Sequence, residues 1–328
     1  MWLESQSRSY GMACLKLESE VFDFVFVRVI SWSPLSLWTN ANDPRSHTNK
    51  HETRCMATLH EQLDSTASKW KVAVSEARET ETSLLGFGVH DSKPVVLKIT
   101  KVADELNSGS VLCAFEAKGT VTAYKSEPGA VLLERLEPGR ELVELVRAGN
   151  DEEATKILAD VIGRMANHKP PTGCPTVFDW ARGFDRYHEG PIALELAQQG
   201  EEMYRRLAES QKQTMLLHGD LHHYNVLFDT KRGWVAIDPK GVVGELEYEV
   251  GAIIRNPVEN PGLYVSRDVV ERRLKALTTA LHLDYERALG WSFAQAVLSA
   301  IWSLEDGFFV ADDHPTIQLA HVIKPLLN

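Results

Sequence analysis

His218-Gly219-Asp220-Leu221-His222-His223-Tyr224-Asn225 is the stretch that decides how this chain is read. The apolar run Met215-Leu216-Leu217 leads into it and Val226-Leu227-Phe228 follows, so a polar loop is held between two strand-like segments. Asp220 and Asn225 stand five residues apart, the spacing of HxDxxxxN. A loop of that length lets the aspartate face an acceptor hydroxyl while the asparagine carbonyl faces a cation. Downstream, Asp229-Thr230-Lys231-Arg232-Gly233 reads as a hairpin turn, and the second arm, Trp234-Val235-Ala236-Ile237, ends on Asp238. A tight two-stranded return carries that carboxylate back beside Asn225. One amide oxygen and one carboxylate are hard ligands that suit Mg²⁺. The pattern therefore predicts phosphoryl transfer, a reaction that asks the protein for positioning and charge rather than covalent chemistry.

Residues from about 71 to 135 are β-rich. Pro94-Val95-Val96-Leu97-Lys98-Ile99 is an apolar run interrupted by one lysine, and Gly129-Ala130-Val131-Leu132-Leu133-Glu134 is a second strand entered through Pro128-Gly129. Between them lies a helix candidate from about 104 to 115. Lys98 reads as the strand lysine that holds nucleotide phosphates. The alternative is a solvent-facing residue on an edge strand, because strand faces alternate. After Glu137-Pro138-Gly139 helices dominate. Ile157, Leu158, Val161, Ile162 and Met165 form a helical stripe, and further helices are expected at 194–207, about 267–281, about 285–303 and about 314–325. The expected architecture is α+β in two lobes. A β-rich N-lobe spans 56–136, a larger helical C-lobe spans 137–328, and a ligand cleft lies between them.

Residues 1–55 stand apart. They hold a strand-like run at 21–30 and then an aperiodic polar and aromatic segment, whereas Met56 opens an amphipathic helix pattern. Met56 is read as the initiator and 1–55 as a leader, with a genuine accessory segment as the alternative. Six basic and six acidic side chains balance within 1–55, so the net charge of −11 resides in the remainder. Such an acidic body repels nucleic acid and anionic membranes and tolerates cationic ligands. The four cysteines, Cys14, Cys55, Cys113 and Cys174, form no CxxC pair, which argues against a zinc site or disulfide scaffold and for a reduced, cytoplasmic setting. No apolar run is long enough to span a bilayer, and the N-terminus lacks a secretory pattern. Glu305 and Asp306 end a Trp-rich helix; they read equally well as a wall for a cationic substrate or as a plain polar helix end.

Together, His218–Leu227, Ile237-Asp238-Pro239-Lys240-Gly241, Arg255-Asn256-Pro257 and Val131–Gly139 resemble the aminoglycoside/hydroxyurea antibiotic resistance kinase family. The resemblance covers roughly 70–310. It implies a two-lobed protein-kinase-like fold with ATP as phosphoryl donor. It further implies Asp220 as catalytic base, Asn225 and Asp238 as Mg²⁺ ligands, Lys98 on the phosphates, and the backbone of 134–136, with Glu134 and Leu136, as the adenine hinge. The expected acceptor is a small hydroxylated metabolite such as a streptomycin-like aminoglycoside, with hydroxyurea or another small alcohol as the alternative. Two departures stand out. Where the family places a glutamate that pairs with the strand lysine, the matching position here is Ser110, with Glu105 and Glu116 as possible substitutes. The segment Glu81–Gly88, expected as the phosphate loop, is poor in glycine, leaving Ser83 and nearby amides to cap phosphate. Ser110 is the one feature that favours a nucleotide-binding pseudokinase; Asp220, Asn225 and Asp238 together argue against it. No Ala-Pro-Glu segment follows Asp238, which argues against a protein kinase.

Overall fold

In the computed structural model, residues 58–102 and 105–327 are described. The strand-like run at 21–30, the leader and the Met56 start lie outside them.

The first helix, α1 (Leu59–Trp70), opens on a capping box between Thr58 and Glu61. It buries Leu63, Ala67 and Trp70 at helical spacing. These side chains meet one face of a five-stranded antiparallel sheet built from β1 (Ala73–Glu79), β2 (Ser83–His90), β3 (Lys93–Thr100), β4 (Ala123–Glu127) and β5 (Ala130–Glu134), in the order β1-β2-β3-β5-β4. Alternation along β3 decides the polarity of the lobe. Val95, Leu97 and Ile99 point to α1, so Val96 and Lys98 face the cleft. On β5, Leu132 joins the α1 side, while Val131 and Leu133 pack with Leu112, Leu227 and Ile237 beneath the cleft. Helix α2 (Ser108–Ala114) connects β3 to β4 and is shorter than its sequence pattern suggested. The segment expected as a phosphate loop is instead mostly strand: Ser83 to Gly88 pair residue by residue with β3, and the turn is confined to Thr80–Thr82.

Beyond the cleft come β6 (Pro138–Glu141), α3 (Val143–Arg147), α4 (Asp151–Met165), α5 (Val177–Trp180), α6 (Arg182–Arg186) and α7 (Leu194–Glu209). Then β7 (Met215–Leu217), β8 (Val226–Asp229), β9 (Gly233–Ala236) and β10 (Val242–Gly244) surround the polar loop. β8 and β9 form the expected hairpin, with β6 on its outer side, while β10 pairs antiparallel with β7. The remaining helices are α8 (Leu246–Ile254), α9 (Arg267–Leu281), α10 (Tyr285–Glu305) and α11 (Pro315–Ile323). Helix α10 is buried from Ala288 to Ser303 and contacts α7, α8, α9 and α11. Its Trp291 meets the rings of Tyr204 and Tyr248 edge-on, each at 4.9 Å. Truncating such a residue costs about 3–5 kcal/mol, so this cluster is a main anchor of the C-lobe. Among the described residues no helix is long and apolar enough to cross a membrane.

Candidate active site

The loop of 218–225 is fixed from beneath before any ligand is considered. Glu249, fully buried on α8, accepts the amides of His218 at 2.7 Å and Gly219 at 3.1 Å. Burial pushes the Glu249 carboxyl up to about 7, although the backbone N–H bonds pull it down. Gly219 sits at φ +82°, and a Cβ there would lie 2.8 Å from the Trp180 ring, so only glycine fits. His218 receives the Asp220 amide on Nδ1 at 3.3 Å and donates from Nε2 to the Ile237 carbonyl at 2.8 Å. Those two bonds define one neutral tautomer, and burial lowers its pKa further. His218 thus shapes the loop, as expected from the sequence, and ties it to the end of the hairpin. The amides of Lys240 and Gly241 close back onto the His218 carbonyl at 3.0 and 2.9 Å.

Asp220 is buried, with three cation-capable groups around its carboxylate. Arg255 Nη2 lies 3.3 Å from Oδ1, Lys240 Nζ 3.5 Å from Oδ2 and His222 Nε2 3.8 Å from Oδ2. Burial opposes its charge, but Lys240, His222, Arg255 and His218 together outweigh burial and hold the carboxyl well below the usual range. His222 itself is pushed down to about 4 by burial, so it is neutral near pH 7. Asp220 is therefore an anion near pH 7 before the reaction. It orients a hydroxyl strongly and accepts its proton only when bond formation has made that proton acidic.

Asn225 donates from Nδ2 to the Asp220 carbonyl at 2.9 Å, and its Oδ1 is buried without a hydrogen-bond partner among the described residues. The hairpin brings Asp238 alongside, because the Ile237 amide donates to the Asn225 carbonyl at 2.9 Å and Val226 pairs with Ala236. Asp238 adopts φ +54° and accepts Lys98 Nζ on Oδ1 at 2.7 Å. An orphaned amide oxygen beside a carboxylate fits a hard divalent cation. Among the described residues no group of three or more His, Cys, Asp or Glu side chains is arranged to hold a metal. Two protein ligands are nevertheless what Mg²⁺ uses when phosphate oxygens and water complete its octahedron.

Lys98 faces the cleft and is only 3% exposed, which removes the edge-strand alternative. Burial favours its neutral form, but Asp238 and Glu105 outweigh it and raise its pKa. The glutamate partner is Glu105, at 3.0 Å, and Ser110 does not stand in its place. Glu105, one of the two substitutes the sequence offered, lies in the turn before α2 rather than on the helix, so matching by helical position pointed to Ser110 instead. The Ser110 hydroxyl donates to the Asn107 carbonyl at 2.7 Å, and Glu116 pairs with Lys118 at 3.0 Å.

A cavity of about 540 Å³ opens between the lobes, with Lys98 and Asp238 at its inner end and Leu85, Phe87, Val96, Leu133 and Ile237 as apolar walls. Glu134 and Leu136 line it as well. The Glu134 carboxylate is occupied by the Thr122 amide at 2.8 Å, the Thr122 hydroxyl at 2.9 Å and Arg232. Any role there in holding a base falls to the backbone. Ser83 does not line this cavity. It is buried at the start of β2, where its amide donates to Thr80 Oγ1 at 2.9 Å. A second cavity of about 250 Å³ lies on the other side of the Asp238–Gly241 turn, walled by Trp180, Pro175, Asp179, Arg182, Arg186 and Lys240. Glu305 is joined to Arg186 by two bonds of 2.6 and 2.7 Å, and the Asp306 amide donates to the Trp302 carbonyl at 2.9 Å as α10 ends. Sequence reasoning assigned no role to Glu249, Arg255 or Lys240. The last two stood in quoted motifs, whereas nothing in the sequence marked Glu249.

The model of the aminoglycoside/hydroxyurea antibiotic resistance kinase family matches residues 69–307. The chain is 33% identical to streptomycin 3''-kinase of Klebsiella pneumoniae, over 65% of this chain and 81% of that one. It is 26% identical to streptomycin 6-kinase of Streptomyces glaucescens, over 82% and 90%. Among solved structures, aminoglycoside phosphotransferase APH(4)-Ia, seen there with ADP and hygromycin B, superposes with a TM-score of 0.57 at 17% identity, covering 80% of this chain and 97% of that one. At that identity the structural likeness speaks to the fold, which is that of the protein-kinase-like phosphotransferases.

Proposed function

Because this chain belongs to the aminoglycoside/hydroxyurea antibiotic resistance kinase family, we propose that it transfers the terminal phosphoryl group of ATP to a hydroxyl of a small aminoglycoside-like antibiotic. The observation that carries the reading is the 2.7 Å contact between Lys98 of the N-lobe and Asp238 of the C-lobe. That contact joins the nucleotide cavity to the loop bearing Asp220 and Asn225. ATP would lie in the larger cavity with its base against the backbone of 134–136 and its phosphates toward Lys98. Asn225 Oδ1 and Asp238 would hold Mg²⁺, which supplies neutralising charge on the phosphates. Asp220, fixed by Arg255, orients the acceptor hydroxyl and takes its proton as the new O–P bond forms. The electron pair of the breaking P–O bond leaves on the β-phosphate of ADP. The pairing of Lys98 with Glu105 removes the ground on which a protein without turnover was considered.

A second acceptor class is favoured by one observation. The smaller cavity is walled by Arg182, Arg186 and Lys240, with Asp179 the one acid among its lining residues, and it holds about 250 Å³. Those three cations are paired with Asp179, Glu305 and Asp220, so it is the small volume that suits a small alcohol or hydroxyurea better than a full aminoglycoside. The test is ADP release by purified protein with ATP and Mg²⁺ against streptomycin, kanamycin, hydroxyurea and simple amino alcohols, with Asp220→Ala as control. Acceptor-dependent ADP release that disappears in the control is expected. ATP binding without turnover across the whole panel would refute the reading.

A further inference from the structure

The geometry points to Lys240 as a further catalytic residue, whose ammonium group holds the phosphoryl group while it passes from ATP to the acceptor; this rests on the function proposed above. Lys240 stands two residues after Asp238, and the backbone between them turns sharply. Asp238 takes φ +54°, Gly241 takes φ +77°, and the amides of Lys240 and Gly241 both bond the His218 carbonyl. A Cβ on Gly241 would lie 2.4 Å from Val111, so the turn is closed against the N-lobe. The turn sends the two side chains to different places. Asp238 goes to Lys98 at the inner end of the nucleotide cavity, and Lys240 goes to Asp220 and the wall of the smaller cavity. The turn thus supplies Asp238 to the first cavity and Lys240 and Gly241 to the second, and Lys240 is the residue that reaches Asp220.

The two cations on Asp220 differ in kind. Arg255 is buried beneath the loop and meets Asp220 Oδ1 from Nη2 at 3.3 Å, while its Nε has no hydrogen-bond partner among the described residues. Lys240 ends a flexible stem, and its Nζ lies 3.5 Å from Oδ2, beyond ordinary hydrogen-bond length. That stem lets the ammonium group move from Asp220 toward an equatorial phosphoryl oxygen. It gains a charge-assisted bond where negative charge is spread in the transition state. During the step the acceptor oxygen forms its bond to phosphorus, the bond from phosphorus to the β-phosphate oxygen breaks with its electrons leaving on ADP, and the hydroxyl proton passes to Asp220. Lys240 keeps its own proton and contributes charge alone. Asp220 then loses one neighbouring cation as it must accept the proton.

The test is steady-state kinetics of Lys240→Gln, Lys240→Met and Lys240→Arg in the full chain, with whichever acceptor the wild-type protein phosphorylates. ADP affinity and unfolding midpoint are measured alongside. Gln and Met are expected to lower kcat about 10²–10³-fold with KM for ATP and ADP affinity within about threefold, the pattern of an interaction made only in the transition state. Arg restores kcat to within about tenfold of wild type, which a merely structural role would not do. A kcat within threefold of wild type in both neutral variants overturns the role of Lys240 and leaves the proposed function standing. So does a loss that follows the unfolding midpoint and is not rescued by Arg. If Gln and Met fail to fold, an Arg variant that folds but falls more than a hundredfold in kcat overturns it as well. Absence of turnover in wild type with every acceptor overturns the proposed function and this inference with it.

Discussion

Replacing Glu105 by Gln removes one carboxylate from a buried three-part contact while keeping its shape. Lys98 is held at 3.0 Å by Glu105 and at 2.7 Å by Asp238, and all three side chains are almost wholly out of water. The gross attraction at 3.0 Å is about 5 kcal/mol with an effective dielectric of about 20. Desolvation of both ions offsets much of that, and Asp238 still partners Lys98 in the variant. The net loss of folding stability should therefore be about 2 kcal/mol, below the range of about 3–5 for leaving a buried charge with no partner. For a fold of this size that is a fall in Tm of roughly 3–4 °C. The kinetic effect comes from aim. Without Glu105, Lys98 swings onto Asp238 alone and away from the line along which phosphates would enter. The value of kcat/KM for ATP should drop about 10–100-fold, equivalent to about 1.4–2.7 kcal/mol. A coupled ADP-release assay with varied ATP, together with thermal unfolding, measures both effects. Ser110→Ala is the internal comparison and should leave kcat/KM within about twofold, because it removes one local bond to the Asn107 carbonyl. Loss of activity in Ser110→Ala with none in Glu105→Gln would refute the assignment of Glu105 as partner.

Further outcomes follow from the same contacts. Asn225→Ala should raise the Mg²⁺ concentration needed for half-maximal turnover at least about tenfold, read from a metal titration at saturating ATP, because the orphaned Oδ1 is lost. Gly219→Ala places a methyl at φ +82° within 2.8 Å of Trp180 and should cost about 1–3 kcal/mol in urea unfolding along with most of the turnover. Burial raises the Glu249 carboxyl from its ordinary value of 4.5 to about 7, so between those values the folded state holds a proton that the unfolded state releases. This contribution to stability is full below 4.5, declines as pH rises to about 7 and is absent above it; the span is about 3 kcal/mol. Glu249→Gln removes that slope, so unfolding free energies of variant and wild type should diverge between pH 5 and pH 8, with wild type losing more.

What was legible in the sequence was local. The spacing of Asp220 and Asn225, the turn of 229–233 and the apolar run ending at Asp238 lie within one short stretch, and period and turn chemistry suffice to read them. Lys98 was visible because a charge broke an apolar strand. Its partner could be narrowed only to Glu105 or Glu116 beside Ser110, since Glu105 acts from an irregular turn whose path depends on how α2 packs. The bonds from Glu249 to the loop amides, and from Arg255 to Asp220, arise because α8 lies under the loop, a tertiary fact with no local signature. The same holds for Glu305, whose place at a helix end was plain but whose pairing with Arg186 joins distant helices. The segment of 81–88 was read as a phosphate loop from its place before the lysine strand, and its own residues gave no glycine pattern to support that. In the fold Gly86 and Gly88 lie within β2, where a Cβ on Gly88 would strike the β1 backbone at 2.2 Å.

The central claim, that this loop transfers phosphoryl groups to a small hydroxylated acceptor, meets its most direct test in mass spectrometry of the acceptor. Streptomycin and hydroxyurea are each incubated with ATP, Mg²⁺ and either the wild-type protein or Asp220→Asn. The account predicts that one of them gains a single phosphoryl group with wild type and does so at least about 10³-fold more slowly with the variant. Phosphorylation at equal rates by the two proteins would contradict it.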